Sequence, residues 1–296
     1  MKRPNHILIF IISMLVLVTN SACVQKQPYI KPSFTIETFP GVDGSTVTIP
    51  ITEVLMAELT GKTLEEVRPY VLHTKTHGAY MNLISKFKDL IFVTSPSAEE
   101  LQIAQEAGVE LEIVPIVAEA FVFIINKDNP ITSLTLDQIQ KLYTGEITNW
   151  NEVGGADVAI KAYQRPANSG SQTGFLDLVM KEKVPMAAPT ELLIQDMGGL
   201  VEAVATYRET PDAIGYTYYY YITDIWLNSN IKLLNVNGVL PTHLTITDGT
   251  YPIHTAYYAV IHKDEPADSP VRKIIEYLLT DEGQTLLEKA GYVKVK

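Results

Sequence analysis

An α/β fold of layered sheets and helices is what this chain predicts, and three observations predict it. Short apolar runs of strand character alternate with stretches of helical periodicity along nearly the whole length. Many of the helical stretches open on Ser or Thr and close on Gly. With 296 residues, 46% hydrophobic and 19% charged, the chain can bury one or two ordinary cores, and two domains is the expectation at this length. The sheets are expected to be largely parallel, with ligands lying beyond the carboxyl ends of the strands.

Taken in order, Phe34 to Phe39 alternates as a strand, and Pro40 to Thr46 is a turn into an apolar helix, Val47 to Leu59, stopped by Gly61. Ser45 and Thr46 stand at that helix opening. Val67 to Leu72 reads as a strand, after which His73 to Tyr80 leads into a helix ending near Phe87, with Thr76 at a further opening. His73 and His77 have a metal-ligand spacing, but no Glu follows His73 as in the protease pattern and Gly78 argues for a loop, so no metal is expected. Asp89 to Val93 is a short buried strand. Ser97 and Glu100 then form a capping box for a helix that Gly108 ends, which leaves Ser95, at the strand's carboxyl end, without a structural duty.

Two apolar runs follow, Leu111 to Val117 and Ala120 to Ile125, and between them the chain has room to cross from one domain to another. A helix from Leu136 to Tyr143 carries a Thr135/Gln138 box and a Gly145 stop, and the polar loop Ile147 to Gly155 is pinned by Trp150. Ile160 to Tyr163 is a strand delivering Arg165. Gly198-Gly199 precedes a helix with Leu200, Ala203, Val204 and Tyr207 on one face, and Ala213 to Tyr216 is a strand running into Tyr218 to Tyr221, read as a half-buried aromatic wall. Strands at Ile231 to Val236 and Tyr257 to Ile261 precede two closing helices. Ser269 caps the first, and an Asp281/Gln284 box opens the second, which Gly291 stops.

The chemistry concentrates in Arg165-Pro166-Ala167-Asn168-Ser169-Gly170-Ser171-Gln172-Thr173-Gly174, just ahead of the apolar run Phe175 to Met180. A helix opening leaves about four amides unpaired and carries roughly half a positive charge, and small residues let a ligand approach the main chain. Arg165 adds a planar fork suited to a tetrahedral oxyanion. Net charge is −11 and no basic block occurs, which makes nucleic acid a poor partner, and none is expected. An acidic protein can still hold an anion through local amides and one arginine.

Lys2 and Arg3 precede the apolar run Ile7 to Val18, a signal-peptide layout too short to span a bilayer comfortably. The sole cysteine, Cys23, follows Ser21-Ala22 and resembles the lipidated residue of a bacterial lipoprotein, although Asn20 stands where an aliphatic residue is usual. Residues 1–22 are then a signal peptide and 23–33 a tether.

From Phe34 onward the chain resembles the phosphate-binding lipoproteins of bacterial phosphate ABC transporters, within the type II periplasmic-binding-protein superfamily. The resemblance is carried by Asp43 to Thr46, Asn126 to Pro130 with Leu134-Thr135, Leu142 to Trp150 with Gly154-Gly155, the Arg165 to Thr173 loop, Ala213 to Tyr216, Glu282 to Gln284 and Gly291-Tyr292. It implies two α/β lobes, residues 34–116 with 250–296 and residues 117–249, clamping inorganic phosphate between them and delivering it to a membrane permease. The implied ligand residues are Ser45, Thr46, Thr76 and Ser95 from the first lobe, and Arg165, Ser169, Gly170 and Ser171 from the second. No cofactor is implied, and the protein is expected to be monomeric.

One departure bears on specificity. Acidic side chains in such clefts accept a hydrogen bond from protonated phosphate, and sulfate has no proton to offer; here the loop carries Ala167 and the Ser95 segment has no aspartate. A backbone carbonyl or Glu119 could stand in, and binding of another oxyanion or small anionic solute stays open, as does a surface sensor with the same fold. An enzyme is not expected: in Gly170 to Gly174 the serine comes one place too early for a nucleophile elbow, and no phosphate-loop lysine motif occurs.

Overall fold

One long strand belongs to both halves of this molecule, and everything that forms the cleft is hung from it. The computed structural model describes residues 31–206 and 212–295. The leader 1–22, Cys23, the tether as far as residue 30 and Tyr207 lie outside the described residues.

The first strand is β1, Val42–Gly44. The expected strand at Phe34 to Phe39 does not form: the Thr35 and Thr38 hydroxyls and amides bond one another locally, folding the segment into turns. A single 3₁₀ turn, Thr46–Thr48, leads into α1, Ile49–Thr60, whose Ile51, Leu55, Met56 and Leu59 are buried and which ends on left-handed Gly61 at φ 67°. Val67 to Leu72 is not a strand either. The Thr63/Glu66 capping box nucleates α2, Leu64–Val67, continued by a 3₁₀ turn to Tyr70, and Leu72 is exposed. Helix α3, Lys75–Ile84, contains Gly78, so the expected loop there is helical. Strand β2, Leu90–Val93, is wholly buried, and α4, Ala98–Glu106, starts on the Ser97/Glu100 box.

Strand β3, Leu111–Asn126, joins the two expected apolar runs without a break, although its register shifts between Pro115 and Val117. The second half follows with β4 (Ser133–Leu134), α5 (Leu136–Thr144) on its Thr135/Gln138 box, β5 (Lys161–Ala162), α6 (Gly170–Gly174) with a π-helical continuation Phe175–Met180, α7 (Met197–Ala205), β6 (Ala213–Tyr218), β7 (Ile231–Leu233) and β8 (Asn235–Val236). Trp150 pins the polar loop by donating its indole N–H to Asp212 O at 2.8 Å. The chain closes with α8 (His243–Thr247), β9 (His254–His262), α9 (Pro270–Leu278), α10 (Asp281–Lys289) and β10 (Val293–Lys294). The cap of α10 is Thr280, which accepts from Gly283 N, rather than the expected Asp281.

The main sheet runs β1-β2-β9-β3-β6-β5, with β10 and β7 also on β3. It is mixed rather than largely parallel: β1/β2 and β5/β6 are parallel, whereas every pairing made by β3 and β9 is antiparallel. The reason is that β3 and β9 come from distant parts of the chain and are not bound by a helical crossover, so nothing imposes a parallel sense. Strand β3 pairs β9 as far as Ala120↔His254 and β6 from Phe121↔Tyr218, so it exchanges one set of partners for another within a single step. At that crossing Tyr220 stacks on Tyr292 with centroids 3.8 Å apart. The fold is thus α/β with two lobes, each with helices packed on its own part of the sheet.

Candidate functional site

The openings of α1, α3 and α6 face one cleft of about 660 Å³. Ser45, Thr46, Thr74, Thr76 and Thr94 line it on one side, and Arg165 to Ser171 on the other. All but one of the ligand residues expected from sequence are therefore brought together. The exception is Ser95, which is half-buried and is not among the lining residues; its neighbour Thr94 takes that place, with its carbonyl fixed by the Tyr80 hydroxyl at 2.9 Å.

The first wall is held by buried hydrogen bonds. Asp43 is inaccessible to solvent; its Oδ1 accepts from the amides of Gly44 and Thr74, and its Oδ2 from Thr74 Oγ1 and Asn82 Nδ2, each at 2.7 Å. Burial alone would raise this carboxyl, but those donors outweigh it and hold its pKa below the ordinary value. The carboxylate thereby ties the α3 opening to β1. His73 binds Ser45 O through Nδ1 at 2.8 Å and Thr52 Oγ1 through Nε2 at 3.0 Å. A ring nitrogen facing a carbonyl must carry the proton, and burial lowers the pKa of the ring, so this histidine is a neutral brace. His77 instead pairs with Glu100 at 3.1 Å, so the two histidines do not converge, and no metal-binding cluster is found among the described residues.

The second wall rests on an aromatic core. Phe175 stacks on Tyr216 with centroids 4.5 Å apart and planes 3° from parallel, and Tyr143 packs on Phe175, which seats the α6 helix on β6. Tyr218 donates its hydroxyl to Gly170 O at 2.9 Å. Arg165 N donates to Tyr216 OH at 3.0 Å and to Gln172 Oε1 at 3.1 Å, anchoring the residue's backbone while its guanidinium extends towards the cleft. Ser169 Oγ accepts from Gln172 N at 3.2 Å, so this serine is a helix cap as well as a lining residue.

The walls meet. Asn168, left-handed at φ 62°, donates to Glu99 at 2.5 Å across the cleft. A Cβ placed on Gly170 would fall 2.4 Å from Thr94 Oγ1 and 2.6 Å from Thr76 Oγ1, so only glycine lets the α6 opening sit against those two hydroxyls. Lys75, on the facing lip, is also left-handed at φ 70°, and strain of this kind gathers at ligand clamps.

Polar groups in this contact zone are left over. Arg165 is 7% exposed; its Nη2 donates to Gln195 O at 3.1 Å, but Nε, together with Ser171 Oγ, is buried without a hydrogen-bond partner among the described residues, whereas the Thr94 hydroxyl bonds that of Tyr218. Burial lowers the guanidinium's pKa, although a guanidinium remains charged at any physiological pH. A buried cation and a buried hydroxyl left unpaired gain most from an anionic acceptor. Glu119 is not among the lining residues: its Oε1 accepts from Ala120 N at 2.8 Å and both its oxygens face Tyr220 N at the β3 crossing. Among the described residues the carboxylate on the cleft wall is Asp196, which caps α7 through Gly199 N at 2.7 Å. The sequence hint to it was the Gly198-Gly199 helix start; Trp226, also on the wall, carried none.

Known proteins fit this geometry. Residues 42–282 match the family model for a PBP superfamily domain. The phosphate-binding protein PstS of Bacillus subtilis is 31% identical over 172 residues, which cover 58% of this chain and 53% of that protein. PstS of Borreliella burgdorferi is 26% identical over 183 residues, covering 60% and 64%. The chain thus matches between about half and two thirds of the length of these curated relatives. Among solved structures, a Clostridium perfringens protein described as a phosphate ABC transporter substrate-binding protein with bound phosphate superposes with a TM-score of 0.65 at 26% identity, covering 86% of this chain and 98% of that one. A Vibrio cholerae ABC-type phosphate transport receptor shares the fold at 21% identity and a TM-score of 0.63, with 86% and 98% covered. With a shared cleft between two α/β lobes and a family model matched from the first strand into the last helix, the chain belongs to the PBP superfamily.

Proposed function

We propose that this chain captures inorganic phosphate outside the cytoplasm and delivers it to the permease of an ABC transporter. The observation that carries the reading is that Arg165 Nε and Ser171 Oγ, both buried and without partners among the described residues, belong to residues lining the cleft that helix openings from both lobes face. The PstS relatives support it. In this reading Arg165 forms charge-assisted bonds to the anion, Ser169, Gly170 and Ser171 supply hydroxyls and amides from residues 117–249, and Ser45, Thr46, Thr76 and Thr94 supply them from residues 34–116 with 250–296. The lobes close around the ligand because the closed state binds it better, and the permease reads the closed shape.

Discrimination against sulfate falls to Asp196, which takes the role that Ala167 cannot. Asp196→Asn keeps a good helix cap while removing the charge. It should narrow the phosphate-to-sulfate affinity ratio by about tenfold or more, a loss of roughly 1.4 kcal/mol. An unchanged ratio would assign discrimination elsewhere. Calorimetric titration with phosphate, sulfate, arsenate and molybdate tests the whole reading: tight phosphate binding without turnover is expected, and uniformly weak binding to all four would overturn it.

Cys23 carries a lipid anchor in this reading, and the protein acts as a tethered monomer; among the described residues no helix is long and apolar enough to cross a membrane. Cys23→Ser should shift the protein from the membrane fraction to the medium or periplasm. Retention of that variant would show that the apolar leader itself holds it.

A further inference from the structure

The lining of the cleft carries two kinds of chemistry, polar and aromatic, and inorganic phosphate accounts for only the first. A water molecule's share of liquid is about 30 Å³, and a tetrahedral oxyanion displaces only a few waters. The cleft, at about 660 Å³, lies in the range of pockets that enclose organic ligands. Beyond Arg165 its wall continues through Met197, Gly198, Tyr221 and Trp226. The Tyr221 and Trp226 rings are 9° from parallel with centroids 6.4 Å apart. A Cβ on Gly198 would lie 2.9 Å from the Trp226 ring, so the bare backbone of the α7 opening is what lets the indole pack this closely. Its Nε1 donates to Glu202 Oε1 at 3.3 Å, which fixes the ring's orientation, yet Trp226 is still 39% exposed. A half-open indole, held in place beside a buried arginine, is a surface that an apolar substituent can cover.

We propose that the cleft also accepts organic phosphates, monoesters or phosphonates with an aromatic or apolar substituent. The phosphoryl group sits on Arg165 and the Ser169 to Ser171 turn, and the substituent lies against Trp226, beside which the buried Tyr221 ring runs nearly parallel. This rests on the oxyanion reading above and extends it to a class of ligand.

Calorimetric titration of the mature protein with inorganic phosphate, methyl phosphate, phenyl phosphate and benzoate tests it. Phenyl phosphate should bind within about tenfold of inorganic phosphate and more tightly than methyl phosphate. Trp226→Ala should lower the ratio of phenyl phosphate to inorganic phosphate affinity by about fivefold or more, and Trp226→Phe should restore most of it, as stacking on a ring requires. Inorganic phosphate binding with phenyl phosphate more than about tenfold weaker, or a ratio untouched by Trp226→Ala, would overturn this proposal and leave phosphate capture standing. Benzoate binding as well as phenyl phosphate would overturn the phosphoryl requirement. Binding of no phosphate compound would remove the underlying function as well.

Discussion

The two walls of the cleft are built on opposite principles. On the first wall Asp43, Ser45, Thr48 and His73 spend their hydrogen bonds inside the protein: Thr48 Oγ1 donates to Phe92 O at 2.5 Å, and Asp43 accepts four bonds. On the second, Arg165 and Ser171 are buried with bonding capacity in reserve. The difference separates scaffold from receptor. A satisfied buried carboxylate stabilises the empty fold, whereas an unsatisfied buried cation costs stability until an anion arrives.

The comparison is broken most severely at Asp43. Asp43→Ala leaves the Thr74 amide and Asn82 without their acceptor and should cost on the order of 3 kcal/mol of stability, lowering Tm by several degrees and loosening phosphate binding as the α3 opening shifts. A melting curve unchanged from wild type would show that this wall is not braced by the carboxylate. Arg165→Ala should do the reverse, weakening phosphate by at least tenfold, as expected from loss of a contact worth about 1.5–3 kcal/mol. Its ligand-free Tm should stay level or rise, because a desolvated cation is removed. An unchanged affinity would mean that the guanidinium serves the fold alone. Ser171→Ala is the smallest of these, a loss of about 1 kcal/mol in phosphate binding with unfolding of the empty protein unaltered.

Glu119 sharpens the contrast through pH. Burial raises its carboxyl to about 7 against an ordinary 4.5, with the Ala120 and Tyr220 amides and the Tyr257 hydroxyl opposing the shift. A group raised in the folded state contributes its stability fully below its unfolded pKa, and that contribution is lost as pH climbs from about 4.5 through 7. Asp43, held low, has the opposite sign: its contribution is present above its unfolded value near 3.8 and is lost as pH falls through the folded pKa. Chemical denaturation between pH 4 and 8 should therefore show stability falling as pH rises from about 4.5 through 7, and Glu119→Gln should flatten that slope. A slope that persists in Glu119→Gln would place the titrating group elsewhere.

Local chemistry was legible without coordinates. The capping boxes at Ser97/Glu100 and Thr135/Gln138, the left-handed stops at Gly61, Gly108, Gly145 and Gly291, and the helix opening capped by Ser169 all formed where the residues pointed. Each depends on side chains and amides within a few residues of one another, so sequence alone determines them. What tertiary structure decided depends on partners far away in the chain. Phe34 to Phe39 alternates like a strand but pairs with no strand among the described residues, whereas Val42–Gly44 pairs with Leu90–Phe92. Thr94 replaced Ser95 because Gly170, from the other wall, packs against its hydroxyl. Asp196, Trp226 and the crossing carboxylate Glu119 acquire meaning only from where the long strand carries one half of the sheet past the other, since burial and contact across the cleft are properties of the packed chain and not of any short stretch of it.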